Sequence, residues 1–319
     1  MNPAWSMIFF TTLAGAGQGL MLALVGLDLA ARAGLSTAPS PLSFVIGAGL
    51  VLLLCGVGLV ASVFHLGRPM RAWRAMAMWR TSWLSREVIV LPAFMATVLV
   101  WGLAHAIGAP TPLLGVLAAV LALLLFLCTG MIYAAVAVIR EWATPLTPLN
   151  FALLGIASGL TLCAAAAALG GSALSGAAAP TLAPALALLA LAATALAALM
   201  RGASFWRNAT LAPKTTLQTA IGVRHPKIVQ SSQGQMGGSF NTREFFHGAA
   251  AQMLPRLRWI VALGVFGLPL LLLATAAVSG SALSLVAAFA CQYLGLLAER
   301  WLFFAEAQHP QNLYYQRIG

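Results

Sequence analysis

A histidine and a glutamate flank one short, strongly basic connection in this sequence. His65 closes one apolar stretch and Glu87 opens the next, and five arginines, Arg68 and Arg71 among them, lie between residues 66 and 86. An imidazole gains or loses a proton near neutral pH, and a positioned carboxyl group can relay one. Guanidinium groups stabilise negative charge that develops on an oxygen. These side chains predict a site for a quinone headgroup, whose carbonyls accept hydrogen bonds and whose reduction consumes protons.

A structural interpretation of the same residues remains open. His65 could cap the end of a helix, and Glu87 could pair with Arg86 or Arg80. Neither role requires a ligand. What favours a site is the cost of placing ionisable groups at membrane depth, where they usually mark a pathway or a binding position.

The elements that carry these residues are membrane helices. Hydrophobic residues make up 61% of the 319 positions, charged residues 7%, and the mean hydropathy is +0.94. A helix needs about 20 apolar residues to cross the hydrocarbon core, and eight segments qualify. They are residues 6–30, 42–64, 88–107, 113–139, 151–170, 182–200, 257–278 and 283–304. None alternates polar and apolar residues as a barrel strand does, so we predict an all-α integral membrane bundle of eight transmembrane helices forming one domain, 1–319.

The distribution of basic residues predicts the orientation of this bundle. With eight spans, sixteen of the 17 Lys and Arg residues fall on the side of the two termini, and Arg32 falls opposite. Basic residues are retained in the cytoplasm, which predicts that both termini and the connection from His65 to Glu87 are cytoplasmic. The formal charge of +11 is therefore read as a topology signal, and we predict no nucleic-acid partner.

Two polar segments on the same side are candidate docking surfaces. Residues 201–255 form a long, basic, cytoplasmic loop, and residues 306–319 form a cytoplasmic tail. Aromatic residues and Arg in a polar segment are typical of interface anchors. The aromatic candidates are Phe205, Trp206, Phe245, Phe246, Tyr314 and Tyr315. The alternative is a solvated basic loop that contacts lipid headgroups.

The residue inventory does not support a redox centre in this chain. A haem held by two histidines needs facing imidazoles, but His65 and His105, which lie in or beside the spans, are predicted at opposite membrane faces. The four cysteines fall singly in four different spans, without the spacing of a zinc or iron-sulfur site. We predict no haem, no iron-sulfur cluster, no metal and no catalytic residue for substrate chemistry. The chain must then receive electrons from, or give them to, another subunit of the same complex.

Two motifs resemble those of the DmsC family, the membrane anchor subunits of dimethyl sulfoxide reductase-type molybdoenzymes. They are the H-L-G-x-P-x-R-A-W pattern that starts at His65 and the L-S-R-E-V pattern that starts at Leu84, and residues 299–315 resemble in particular the sulfite dehydrogenase (SoeC) branch. The resemblance implies a three-subunit complex in the bacterial inner membrane. Its catalytic subunit would hold molybdopterin guanine dinucleotide, and a ferredoxin-like subunit would hold [4Fe-4S] clusters.

By motif position, the resemblance implies that His65 and Glu87 line a quinone pocket and that Arg68 and Arg71 complete its loop. The expected function is a quinone-reactive anchor that passes electrons from sulfite to ubiquinone or menaquinone, with the partner subunits on the cytoplasmic side. Two alternatives remain open. One is the anchor of another dimethyl sulfoxide or polysulfide reductase-type complex, and the other is a transporter that couples a small anion to protons.

Overall fold

Eight long helices form the structure, a computed structural model that describes residues 3–36, 39–64, 66–175, 179–211, 216–229 and 253–309. Between residues 172 and 181 no side chain is described. The long helices are α1 (Trp5–Arg32), α2 (Pro41–Val63), α3 (Trp83–Ala106), α4 (Pro112–Ala134), α5 (Leu146–Ser175), α6 (Ala179–Ala209), α8 (Met253–Ser279) and α9 (Ala282–Ala305). A short helix, α7 (Leu217–Ile221), follows α6. All eight long helices are apolar enough to cross a membrane, which confirms the prediction of eight spans.

The first helix is the centre of the bundle. In its most apolar window 83% of α1 is buried, against 50% or less in every other span, and α1 packs against α2, α4, α5 and α9. Small residues allow this close packing. A Cβ added at Gly19 of α1 would overlap the Gly155 carbonyl of α5, and one added at Gly159 would overlap the backbone of Gly19. Glycine is therefore required where α1 and α5 cross.

Local sequence signals fix where several helices begin and end. Proline occupies the first turn of α2 and α4, at Pro41 and Pro112, where no backbone N–H is needed. The hydroxyl of Ser82 accepts a hydrogen bond from the Ser85 N–H at 3.3 Å at the start of α3. Gly280, with φ +65°, ends α8. These signals set the ends of the helices, and consecutive spans pack against each other.

The structure departs from the predicted boundaries at the helix ends. Helix α6 continues to Ala209, so residues 201–209 are helical and are not part of a loop. Hydropathy falls at Arg201, but this side chain is buried and ion-paired, so the helix continues past it. Helix α4 ends at Ala134, earlier than predicted, and α8 contains a π-helical turn at Ala262–Gly267.

Several predicted residues lie outside the described part of the chain. They are His65, Phe245, Phe246, Tyr314 and Tyr315. The predicted loop is described only through residue 211 and over residues 216–229 and 253–255, and the tail only through residue 309.

Candidate functional site

Glu87 is buried in the second turn of α3. Its side chain is 5% exposed, and one carboxylate oxygen accepts a short hydrogen bond from the hydroxyl of Thr129 on α4. Helix α3 begins at Trp83 because Ser82 caps it, and this start places Glu87 on the face that α4 covers. A carboxyl group with a single hydroxyl partner inside an apolar bundle is suited to holding and releasing a proton.

The predicted arginines do not lie beside this carboxyl group. Arg68 and Arg71 are exposed on the connection between α2 and α3, which includes a 3₁₀ helix at Pro69–Met78 with no buried residue. His65 is outside the described residues. The structure therefore brings Glu87 together with Thr129, a residue that the sequence did not suggest, and leaves Arg68 and Arg71 on the surface.

The alternative role predicted for Glu87, an ion pair with Arg86 or Arg80, also differs from the contacts in the structure. The Arg86 guanidinium donates from Nε to the Trp79 carbonyl at 2.9 Å and from Nη2 to the Arg80 carbonyl at 2.8 Å. Its carbon Cζ lies 4.1 Å from the centroid of the Trp83 ring. Arg86 thus holds the end of the connection against α3. The partner of Glu87 is a threonine and not an arginine.

A small cavity continues from Thr129 into the centre of the bundle. We call it the inner cavity; Thr129, Thr11, Gln18 and Phe151 are among the residues that line it. Gln18 donates from Nε2 to the Ala14 carbonyl at 3.1 Å. Its buried Oε1 has no hydrogen-bond partner in the described ranges. A buried acceptor without a partner is costly unless water satisfies it.

A buried charged cluster lies where α6 and α9 meet. Glu299 is 0% exposed, and its two carboxylate oxygens lie 2.9 Å from Arg201 Nε and 3.0 Å from Arg300 Nη1. The Cζ of Arg300 lies 3.6 Å from the centroid of the Phe151 ring. Adjacency in sequence predicts the pair of Glu299 with Arg300. It does not predict Arg201, which lies 98 positions away and is brought close only by the fold.

A second polar cavity borders this cluster. We call it the polar cavity; its lining comprises Glu141, Thr144, Thr147, Asn150, Phe151, Arg201, Ser204, Asn208, Glu299, Arg300 and Phe303. Asn150 donates from Nδ2 to the Ser204 hydroxyl at 2.7 Å, and the Thr147 hydroxyl donates to the Trp142 carbonyl at 2.8 Å. Helices α5, α6 and α9 thus each contribute polar side chains to one space.

Another charged cluster closes the opposite end of the bundle. Arg32 and Asp28 pair at 2.9 Å, as their i,i+4 spacing predicts. The structure adds Thr111, which accepts from Arg32 Nη2 at 2.6 Å and donates to Asp28 at 2.9 Å. His105 lies 3.7 Å from Asp28 and stacks on Phe44. These contacts connect α1, α3 and the start of α4.

The two described aromatic candidates for docking differ in exposure. Trp206 is 74% exposed at the end of α6. Phe205 is half-buried, and its ring centroid lies 4.3 Å from Cζ of Arg201 and 5.9 Å from Cζ of Arg258. Phe205 is therefore part of the packing between α6 and α8, whereas Trp206 is free to contact a partner.

Among the described residues, no group of three or more His, Cys, Asp or Glu side chains could hold a metal ion. Cys55, Cys128 and Cys163 are buried thiols in separate helices. These residues include a buried carboxyl group with a hydroxyl partner, and polar side chains that line the inner cavity and the polar cavity. Such an arrangement can bind a carbonyl compound and exchange protons with it.

Comparison with known proteins gives three matches. Residues 1–220 match the family model for the DMSO reductase anchor subunit (DmsC). A sulfite dehydrogenase subunit of Allochromatium vinosum is 52% identical over 333 aligned positions that cover 100% of both chains. Anaerobic dimethyl sulfoxide reductase chain YnfH of Escherichia coli is 32% identical over 168 positions, which cover 50% of this chain and 56% of that protein.

Proposed function

The chain belongs to the DMSO reductase anchor subunit (DmsC) family, and on that premise we propose that it anchors a sulfite-oxidising molybdenum complex and passes its electrons to membrane quinone. As a family member it is a multi-pass membrane anchor subunit, which implies catalytic partner subunits. The full-length identity of 52% to a subunit of a sulfite dehydrogenase supports the choice of sulfite. The shorter match to YnfH is the basis for a second candidate, a dimethyl sulfoxide reductase-type partner.

The proposed partners supply the redox centres of the complex. A catalytic subunit with molybdopterin guanine dinucleotide oxidises sulfite, and the electrons then pass through the [4Fe-4S] clusters of a ferredoxin-like subunit. This anchor binds both partners and provides the quinone site. The buried carboxyl group of Glu87, bonded to the Thr129 hydroxyl, supports the quinone part of this division.

The buried carboxyl group of Glu87 is the observation that carries the quinone proposal. It lies in the second turn of a membrane helix, shielded from water and bonded to one hydroxyl group. In its protonated form it donates a hydrogen bond to a quinone carbonyl and then the proton itself. Arg68 and Arg71 are exposed on the adjoining connection, and in this proposal they stabilise the negative charge that develops on the quinone oxygens, while His65 completes the site.

In this proposal the partner subunits dock at the end of the bundle that carries most of the Arg residues. Trp206 is the described anchor, and Phe245, Phe246, Tyr314 and Tyr315 extend the surface. Phe205 packs between the guanidinium groups of Arg201 and Arg258 and so holds this end of α6 against α8. This end faces the cytoplasm of the bacterial cell because sixteen of 17 basic residues lie on that side. The partners are then cytoplasmic, and both termini are inside.

A substitution of Glu87 tests the quinone role. In the purified complex, Glu87→Gln keeps the shape of the side chain but removes the exchangeable proton. We expect sulfite-dependent quinone reduction to fall at least about a hundredfold, the range found for lost general acid catalysis. Sulfite oxidation with a soluble dye as acceptor should not change, because it requires only the partner subunits.

A matched pair of threonine variants controls for general damage to the bundle. Thr129→Val removes the hydroxyl partner of Glu87 and should lower quinone turnover, mainly through a higher KM. Thr97→Val removes a hydroxyl on α3 that bonds only to the Ala93 carbonyl, at 2.8 Å, and should be silent. Wild-type quinone turnover in Glu87→Gln would remove this residue from the mechanism.

A further inference from the structure

We propose that the polar cavity and the inner cavity together form a hydrated proton route to Glu87. The inference rests on the proposed quinone reduction. In that reaction each quinone takes two electrons from the iron-sulfur partner and two protons from water, and becomes quinol. Glu87 is buried and must be reprotonated after each transfer. The two cavities are the polar passage by which these protons arrive.

The polar cavity is lined by buried groups that need water. Apart from the atoms of Arg201 and Glu299 that form the ion pairs, four of its buried polar atoms have no hydrogen-bond partner in the parts of the chain that are described: Glu141 Oε2, Asn150 Oδ1, Arg201 Nη2 and Arg300 Nε. Donors and acceptors are both represented. Buried polar groups left without partners cost free energy, and ordered water usually satisfies them. We therefore infer water at this position.

The charge balance of the lining favours water over an anion. Arg201 and Arg300 are positive, Glu141 and Glu299 are negative, and these four are the charged residues that line the polar cavity. Their formal charges cancel. Glu299 also contacts both guanidinium groups and occupies the position that an anion would take between them. A water molecule beside carboxylates can pass on a proton, whereas an anion would meet no net attraction.

The lining of the polar cavity includes both half-buried and buried residues. Glu141 and Thr144 are half-buried in the turns between α4 and α5, and Asn208 is half-buried near the end of α6, whereas Asn150 and Glu299 are buried. In this proposal water enters between those turns and the end of α6. A proton can therefore enter from solvent at Glu141 and move inward along the hydroxyl, amide and carboxylate groups.

One aromatic ring separates the two cavities. Phe151 of α5 lines both of them. On the side of the polar cavity, Cζ of Arg300 lies 3.6 Å from the centroid of its ring, and Tyr133 stacks on it with centroids 5.6 Å apart. The inner cavity also contains Thr129, the hydrogen-bond donor to Glu87. A small displacement of Phe151 would join the polar cavity to the partner of Glu87.

Water access is tested first, without any dependence on quinone turnover. Ser204→Cys places a thiol in the polar cavity, and Ser158→Cys places one in α5 at a buried position that lines neither cavity. In the complete complex, a small water-soluble thiol reagent should label Ser204→Cys at least about tenfold faster, in line with the thiolate fraction that hydration allows. Equal, background labelling of both variants would overturn the proposal.

Proton delivery is tested in the reconstituted complex with a second pair of variants on α5. Thr147→Val removes a hydroxyl of the polar cavity, and Thr161→Val removes a buried hydroxyl that bonds only to the Ala157 carbonyl, at 2.9 Å. Thr147→Val should slow quinone reduction several-fold and enlarge the rate difference between H₂O and D₂O. Thr161→Val should do neither. Glu299→Gln, in a complex that assembles, should slow quinone reduction and enlarge the isotope effect more than Thr147→Val does.

The outcomes separate this inference from the proposed function. A wild-type complex that oxidises sulfite with dye but reduces no quinone would refute the proposed function, while the labelling result would still report on hydration. A wild-type complex that reduces quinone, with Thr147→Val and Glu299→Gln indistinguishable from it in rate and isotope effect, would refute the proton route alone.

Discussion

Among the individual residues of the candidate site, the local sequence predicts some and not others. Glu87 is identified by its position between a basic connection and an apolar stretch, and the structure places it in a buried, hydroxyl-bonded position. Its partner Thr129 could not be predicted, because a threonine in an apolar helix has no distinguishing feature until the helices are packed. Arg201 and Glu299 pair for the same reason: helix packing, not sequence distance, decides the contact.

The buried cluster around Glu299 should matter to stability far more than an exposed pair. Glu299→Ala leaves Arg201 and Arg300 without their carboxylate in the bundle interior. Removing one partner of a buried ion pair typically costs about 3 to 5 kcal/mol. We expect a large drop in the thermal midpoint of the detergent-solubilised anchor, measured by the fraction that remains monodisperse after heating.

The matched control is a salt bridge between the same residue types in which the arginine is exposed. Arg258 and Glu306 lie 2.8 Å apart, with the arginine side chain 45% exposed and the glutamate side chain 9% exposed. Glu306→Ala should cost less than Glu299→Ala, because water already solvates the guanidinium group that the change leaves unpaired. Similar midpoints for Glu299→Ala and Glu306→Ala would show that the buried cluster is hydrated enough to lose its carboxylate without penalty.

At the scale of elements, hydropathy predicts all eight spans but not their ends. A hydropathy window registers a charge as the end of a helix, so the prediction ends the sixth span at residue 200, whereas α6 continues to Ala209. The π-helical turn at Ala262–Gly267 leaves no signal in composition. It places Gly264 against Gly295, where an added Cβ at Gly295 would overlap the α8 backbone. Such local distortions arise from packing between helices.

The extended end of α6 is also where we expect partner docking to be strongest. Trp206 is 74% exposed on it, close to the buried cluster that keeps this part of the helix in place. Trp206→Ala should weaken attachment of the soluble subunits by about 2 kcal/mol, as for a typical interface hot spot. The measurement is the fraction of sulfite-dye activity released when membranes are washed at increasing salt.

A second exposed tryptophan gives the control for this experiment. Trp259 on α8 is 71% exposed, so Trp259→Ala removes a similar exposed surface from another helix. We expect its soluble subunits to stay bound as in the wild type. If both variants retained their partners at every salt concentration, docking would depend on residues other than Trp206.

At the scale of the whole molecule, the basic residues and the groups proposed for docking and proton transfer indicate the same end of the bundle. The polar cavity, the Trp206 surface and the connection that leads to Glu87 belong to the side to which the sequence assigns sixteen of the 17 basic residues. Electrons and protons would then reach the quinone from the same side, so the reaction itself moves no charge across the membrane. This arrangement depends on the proposed orientation, which the sequence predicts from charge alone.

Single cysteines at opposite ends of the bundle test this orientation. Leu35→Cys lies in the connection after α1, where Leu35 is 83% exposed, and Thr210→Cys lies at the exposed end of α6. In intact spheroplasts, a maleimide that cannot cross membranes should label Leu35→Cys, and should label Thr210→Cys only after the membrane is opened. The parent protein gives the background, since three of its four cysteines are buried and the fourth is half-buried. The reverse pattern would place the docking surface and the proton entrance outside the cell, and a periplasmic reductase partner would then fit better than a cytoplasmic sulfite dehydrogenase.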